Sequence, residues 1–229
     1  MVVAIIMGIV LAVVSYFSEQ FHLLRHINRA KFISLTGGIF LTYLILHLLP
    51  QLYLGDLFLN RLSVIFVLVG FSGFHLLEKY IYHHEKSVEA LRRELKEAHS
   101  IAFFIYHFVL GIVLVSVVNA NVWQGVLFYI PLLLITAVSS LSLKSIHGII
   151  RQQRAVKLLL SVSTLLGIGL GFVVSLSPLI FSILLGLVVG VLMFITLMDS
   201  IPKEKEGNPF FFVLGVALYS LIIGITWIL

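Results

Sequence analysis

The 229-residue chain contains no cysteine. Disulfides and thiolate metal ligands are thereby excluded, and the redox compartment stays open. Charge is nearly as scarce: Asp, Glu, Lys and Arg make up 11% of the residues, against about 25% in an ordinary soluble domain. Hydrophobic residues make up 60%, and the mean hydropathy is +1.14. So little polar surface cannot hold a globule in water, which excludes a soluble domain and points to an integral membrane protein. Lys and Arg are also missing ahead of the first apolar run, which starts at Val2. A secretory signal carries positive charge there, so this run is expected to be a retained helix. Alternating polar and apolar strand patterns are lacking, which argues against a barrel. A Gly-rich phosphate loop, a His-Glu-x-x-His zinc motif and a serine elbow are absent as well. No enzymatic activity is expected.

What is present is a series of eight apolar segments, at about 2–18, 33–52, 62–82, 101–119, 122–146, 155–175, 179–201 and 209–229. Each is near the ~20 residues that a helix needs to cross ~30 Å of hydrocarbon. The expectation is one all-α transmembrane domain, 1–229, with eight spanning helices.

The basic residues orient it. Arg25, Arg29 and Lys31 lie between the first two segments, and Lys79, Lys86, Arg92, Arg93 and Lys96 follow the third. Lys144, Arg151, Arg154 and Lys157 flank the connection after the fifth, and Lys203 and Lys205 the one after the seventh. Only Arg61 falls on the other side. By the positive-inside rule those connections are cytosolic and both termini extracytosolic, in a multi-pass protein of the cytoplasmic (plasma) membrane. The net charge of +5 is explained by cytosolic loops facing anionic lipid, with no nucleic acid needed.

One connection has length. The stretch HHEKSVEALRRELKEAHS, residues 83–100, puts Val88, Leu91, Leu95 and Ala98 on one helical stripe, with Glu89 and Arg93 spaced as an i,i+4 pair. It reads as a solvated, cytosolic amphipathic helix extending the third segment. A metal-accepting loop using His83, His84 and His99 is the sharper alternative, and the weaker one, since two adjacent histidines and a distant third form no specific ligand spacing.

An internal repeat follows. Gly38, His47 and Pro50 recur at the same spacing as Gly190, Asp199 and Pro202. The copies lie in segments two and seven, which run in opposite directions, the trace of an inverted-topology repeat.

At this point the residues resemble a known family. GGIFLTYLILHLLPQ is similar to the second helix of the ZIP divalent-metal transporters, FHLLEKYIYHHE to their third, GLVVGVLMFITLMDSIPKE to their seventh and NPFFFVLGVALYSLIIG to their last. The resemblance implies a 3+2+3 inverted-repeat bundle carrying Zn²⁺, Fe²⁺ or a similar ion as substrate, without a resident cofactor. Its implied partners are that divalent cation, the lipid bilayer and, in a homodimer, a second copy of the chain. The family binds its ions through His-Asn-x-x-acid-Gly on helix four and His-x-x-x-Glu-Gly on helix five. Residues i and i+4 share a helix face, so nitrogen and carboxylate oxygens converge on one cation.

The chain departs from that pattern. In YHFVLG, Tyr106 stands for the histidine, His107 for the asparagine and Leu110 for the acid. On helix five the gapless register gives Leu133 and Ala137, while the alternative, SIHG, gives Leu143 and His147. Segments four to six hold no Asp or Glu. The two-metal site is not encoded.

The polar candidates left in the membrane are His47, His75, Glu78, Tyr106, His107 and Asp199, with His83, His84, His99 and His147 as weaker ones. Each intramembrane ionisable group is costly when unpaired and is a functional candidate for that reason. His47 reads as an outer gate ligand or a plain interfacial histidine. His75 and Glu78 share a face as ligands or as a structural hydrogen bond. His107 is a metal ligand or a core histidine bonded to a neighbouring Ser or Tyr, and Asp199 is a repeat-related ligand or a solvated rim carboxylate. Gly167, Gly171, Gly186 and Gly190 read as close-packing positions. Two functions stay open: a divergent ZIP-like cation transporter, and a non-transporting protein that keeps the fold as scaffold, sensor or partner subunit.

Overall fold

The computed structural model describes residues 2–17, 29–53, 57–84, 87–146, 154–197 and 207–228. Their regular structure is helical throughout, in eight helices: α1 Val2–Phe17, α2 29–51, α3 Leu57–His84, α4 Val88–Ala120, α5 Val122–Ile146, α6 Arg154–Val173, α7 Pro178–Ile195 and α8 Pro209–Ile228. Stretches of α2, α3, α4, α7 and α8 are long and apolar enough to cross a membrane, and α1, α5 and α6 contribute shorter apolar runs. Helices satisfy their own backbone groups, which is the condition for sitting in hydrocarbon. The first turns of α4, α7 and α8 are capped by side chains. Ser87 accepts from Ala90 N–H, Ser177 from Ile180 N–H and Asn208 from Phe211 N–H. Asn121, in extended conformation, is the single residue between α4 and α5, and its side chain accepts from Trp123 N–H. The amphipathic stretch expected to extend the third segment instead starts afresh at the Ser87 cap and runs on into α4.

Three helix pairs make the most extensive contacts: α3 with α7, α4 with α6, and α2 with α8. Glycine makes them close. A Cβ on Gly38 of α2 would strike the Phe212 carbonyl of α8, and one on Gly190 of α7 would strike the Val67 carbonyl of α3. Gly111 and Gly167 bring α4 and α6 together in the same way. Lipid offers no hydrophobic drive between helices, so small residues that admit backbone approach supply the packing. Contacts advance in step along both members of each pair. Ser63 meets Gly186 and Val67 meets Gly190; Phe108 meets Gly167 and Val115 meets Gly171; Ser34 meets Asn208 and Gly38 meets Phe212. Each pair is therefore parallel, as alternating spans require of helices two, four, six and eight, or of three and seven.

Around these pairs, α1 packs on α4, α5 and α6, α2 on α5, and α7 on α4. The outer surface is apolar, with Ile65, Leu68 and Leu76 of α3 and Val213 and Leu221 of α8 all exposed. In water such a surface would aggregate; in lipid it is solvated. Tyr53, Trp123 and Trp227 are exposed where α2 ends, α5 begins and α8 ends, the position of an interfacial aromatic belt. Inside, Ser63, Thr136 and Thr196 donate their hydroxyl protons to the carbonyls of Leu59, Leu132 and Leu192, one turn back. The chain is built as a multi-pass membrane protein.

Candidate functional site

Pro50 explains where His47 sits. Proline has no N–H and its ring crowds the carbonyl four residues back, so an ordinary turn cannot run through it undisturbed. The helix widens over Leu44–Leu48, and the N–H of Leu49 bonds the Leu44 carbonyl, five residues back. His47 lies within this π turn, a form often found at functional positions. The end of α7 widens likewise at Thr196 and Leu197. Thr196 stands six residues before Pro202, as Leu44 stands six before Pro50.

His47 is buried, 6% exposed. Its ring stacks on Tyr43 with centroids 5.2 Å apart. Its Nε2 is 3.0 Å from Nε2 of Gln51, which also donates to Oε1 of Gln124 on α5 at 2.8 Å. An amide nitrogen has two protons and nothing to accept with. One goes to each partner, so His47 Nε2 is the acceptor and Nδ1 carries the ring proton. Below this pair, Tyr43 packs on Phe128 and Tyr219. The Tyr219 hydroxyl donates to the Leu127 carbonyl of α5 at 2.8 Å. The Tyr43 hydroxyl is buried without a hydrogen-bond partner.

The second histidine is deeper. His107 is 1% exposed and its ring lies 3.7 Å from that of Phe103, centroid to centroid. Nδ1 is 3.0 Å from the Phe103 carbonyl, which can only accept, so Nδ1 is the donor. The remaining lone pair, on Nε2, accepts from the Tyr106 hydroxyl at 3.1 Å. Thr136 of α5 stands 3.4 Å away, but its own proton goes to the Leu132 carbonyl. That contact sets the level: the 133–137 turn of α5, with Leu133 and Ala137, lies beside His107. Leu110, one turn on from Tyr106, is fully buried in the apolar core.

The other candidates scatter. His75 is half-buried, edge-on to Phe194 with ring centroids 6.2 Å apart. His83 and His84 are exposed at the end of α3. There His84 stacks on Tyr80 and donates from Nδ1 to its carbonyl at 2.9 Å. The side chains of Glu78 and His99, and the whole of Asp199 and His147, lie outside the described residues. Among the described residues no three of His, Asp and Glu gather as a metal site. Of the sequence candidates, the structure brings Tyr106 and His107 together, while His47 belongs to a separate network.

Sequence reasoning missed Gln51, Gln124, Tyr43 and Thr136. Gln51 was within reach, since it follows His47 by the i,i+4 spacing already applied to metal ligands. Gln124 and Thr136 needed knowledge of which helices touch. Chemically, each buried imidazole presents one lone pair and each lone pair already holds a donor, Gln51 in one case and Tyr106 in the other. A cation can reach either nitrogen only by displacing that donor. Comparison with protein-family models, with curated proteins and with solved structures gave no match.

Proposed function

We propose that the chain is a divergent ZIP-like carrier of divalent metal cations, built as an inverted repeat with its basic connections in the cytosol. The observation that carries this reading is a partial symmetry of the helix contacts. Exchange α1 with α6, α2 with α7, α3 with α8 and α4 with α5. The contact of α3 with α7 becomes that of α8 with α2, and α4 with α6 becomes α5 with α1. Likewise α2 with α5 becomes α7 with α4. All of these pairs touch. The glycines obey the same exchange: Gly38 meets the backbone of α8 as its counterpart Gly190 meets that of α3. Two oppositely directed halves around a midplane site are a transporter plan. His47 and its counterpart Asp199 are the proposed contacts at the two ends of the route, and His107 the central one.

A second reading is favoured by a specific observation. The family's acid position on helix four is the buried Leu110, and both His107 nitrogens are engaged within the protein. A dication needs anionic or strongly donating ligands in place of its water. A ZIP-fold protein that transports nothing, and serves as scaffold, sensor or partner subunit, would look like this at its centre. Uptake of Zn²⁺ and Fe²⁺ into liposomes holding the purified protein separates the two. The carrier reading expects flux above protein-free liposomes, lowered in His47→Ala and in Asp199→Ala at matched incorporation. Flux no greater than that of empty liposomes for either ion would leave the second reading. Flux that neither substitution lowers would make both residues mere rim groups.

A further inference from the structure

We propose that Gln51 and Gln124 form a latch across the outer ends of α2 and α5, which must open before His47 can meet anything from outside. This rests on the reading of His47 as an ion contact, and it assigns to two uncharged residues the control of that contact. Three observations carry it. Gln51 spends both amide protons at once, one on the His47 lone pair at 3.0 Å and one on Gln124 Oε1 at 2.8 Å. Gln124 also hydrogen-bonds His47 itself, so its release would both let the Gln51 side chain swing and remove a second cover from the ring. Second, His47 is itself buried, and so are Leu48 and Leu52 beside it on α2 and Leu127 and Phe128 one turn on from Gln124 on α5. Third, the latch straddles a change of helix type, with His47 inside the π turn Leu44–Leu48 and Gln51 in the ordinary helical stretch Leu49–Gln51 that follows.

The amide is suited to this task. It blocks the imidazole with hydrogen bonds that cost little to break, whereas a carboxylate at position 51 would itself be a cation ligand. Gln124 is the anchoring partner on α5, so a shift of α5 against α2 opens the site without either helix unwinding. Both residues act through His47, and are positioning residues rather than ligands.

The test reads the lone pair directly. Diethylpyrocarbonate acylates an unprotonated imidazole nitrogen whose lone pair is available. Mass spectrometry of the peptide bearing His47 resolves it from the other histidines, and the exposed His84 serves as internal reference. In the unmodified protein in liposomes, His47 should react far more slowly than His84. Gln124→Leu, of similar size but without the acceptor, should raise the His47 rate about five- to tenfold, the factor that one hydrogen bond commands. Gln124→Glu, which keeps an acceptor for Gln51, should stay slow. If Gln124→Leu fails to fold, Gln51→Leu makes the same test from the other side of the bond. A His47 rate matching that of His84 in the unmodified protein, or one that none of these substitutions changes, would overturn the latch. Zn²⁺ uptake by the same variants keeps the two ideas apart. Unmasking of His47 without any uptake sustains the latch and removes the carrier reading, while uptake with His47 never masked does the reverse.

Discussion

The Tyr106 hydroxyl lies 3.1 Å from Nε2 of its chain neighbour His107, and it occupies the one lone pair that the ring could offer a metal. Adjacent residues on a helix point about 100° apart, so the contact depends on the Tyr106 side chain reaching round to the imidazole. Tyr106→Phe removes the competing hydroxyl and keeps the ring. Zn²⁺ binding to the purified protein, followed by calorimetry, should therefore strengthen about tenfold, the worth of about one hydrogen bond. His107→Ala should abolish the gain. The imidazole then loses its shorter Nε2 hydrogen bond inside the core, so the melting temperature of the metal-free variant should fall. Equal Zn²⁺ affinity in the two proteins would show that the phenol is not what keeps the cation out.

Glycine packing makes a sharper test of the fold. A Cβ on Gly38 or Gly190 meets a backbone carbonyl of the partner helix, which cannot turn aside as a side chain can. Gly38→Ala and Gly190→Ala should each destabilise by about 1–3 kcal/mol, the usual cost of overpacking. Gly73 of α3 has open space where its Cβ would stand. Gly73→Ala should be neutral or slightly stabilising, because alanine is the better helix former. Thermal melts in detergent give the order, and a Gly73→Ala protein weaker than Gly190→Ala would contradict the pairing of α3 with α7.

The helices were readable because lipid demands long apolar runs, and Gly38 and Gly190, paired by spacing in the sequence, both meet a backbone carbonyl of a neighbouring helix. Close packing at Gly186 and Gly190 was legible for the same reason, since small residues four apart make one groove. The site was much less legible. Gln124 is an ordinary polar residue near the start of a span until α5 is laid against α2, and nothing in its neighbourhood says so. Thr136 looks like a threonine bonded to its own helix, which it is, and its nearness to His107 comes from α4 and α5 crossing at that level. The start of α4 was misplaced because the apolar stripe of Val88, Leu91 and Leu95 has the same period whichever neighbour it joins. The Ser87 cap decides it, and a serine before Val88 and Glu89 was the available signal.

Orientation is open to direct measurement in a chain without cysteine. Single cysteines near Asp56 or at either terminus should react with an impermeant thiol reagent added outside intact cells. Cysteines near Arg29, Glu94, Gln152 and Glu204 should react only after permeabilisation. The exposed Trp123 and Trp227 lie on the side assigned to the exterior. The reverse labelling pattern would overturn the orientation and, with it, the likeness to the ZIP carriers.

Whether the bundle can hold a metal at its middle is tested by building ligands into it. Leu110 is fully buried, and Leu133 and Ala137 stand in the turn of α5 beside His107. Leu110→Asp alone places an unpaired carboxylate in an apolar core, which should destabilise by about 3 kcal/mol or more unless the group takes up a proton. Combined with Leu133→His and Ala137→Glu, the same carboxylate gains a second acid, a new imidazole and His107 within one level of the bundle. Those are the donors that a dication needs in place of its water. The triple variant should therefore melt well below the unmodified protein in chelator and recover on adding Zn²⁺. A ligand at a hundred times its dissociation constant contributes about 2.7 kcal/mol to the folded state. The unmodified protein should show little Zn²⁺-dependent shift, because leucine and alanine cannot bind the ion. A large Zn²⁺ shift in the unmodified protein that persists in His107→Ala would place the metal elsewhere in the bundle.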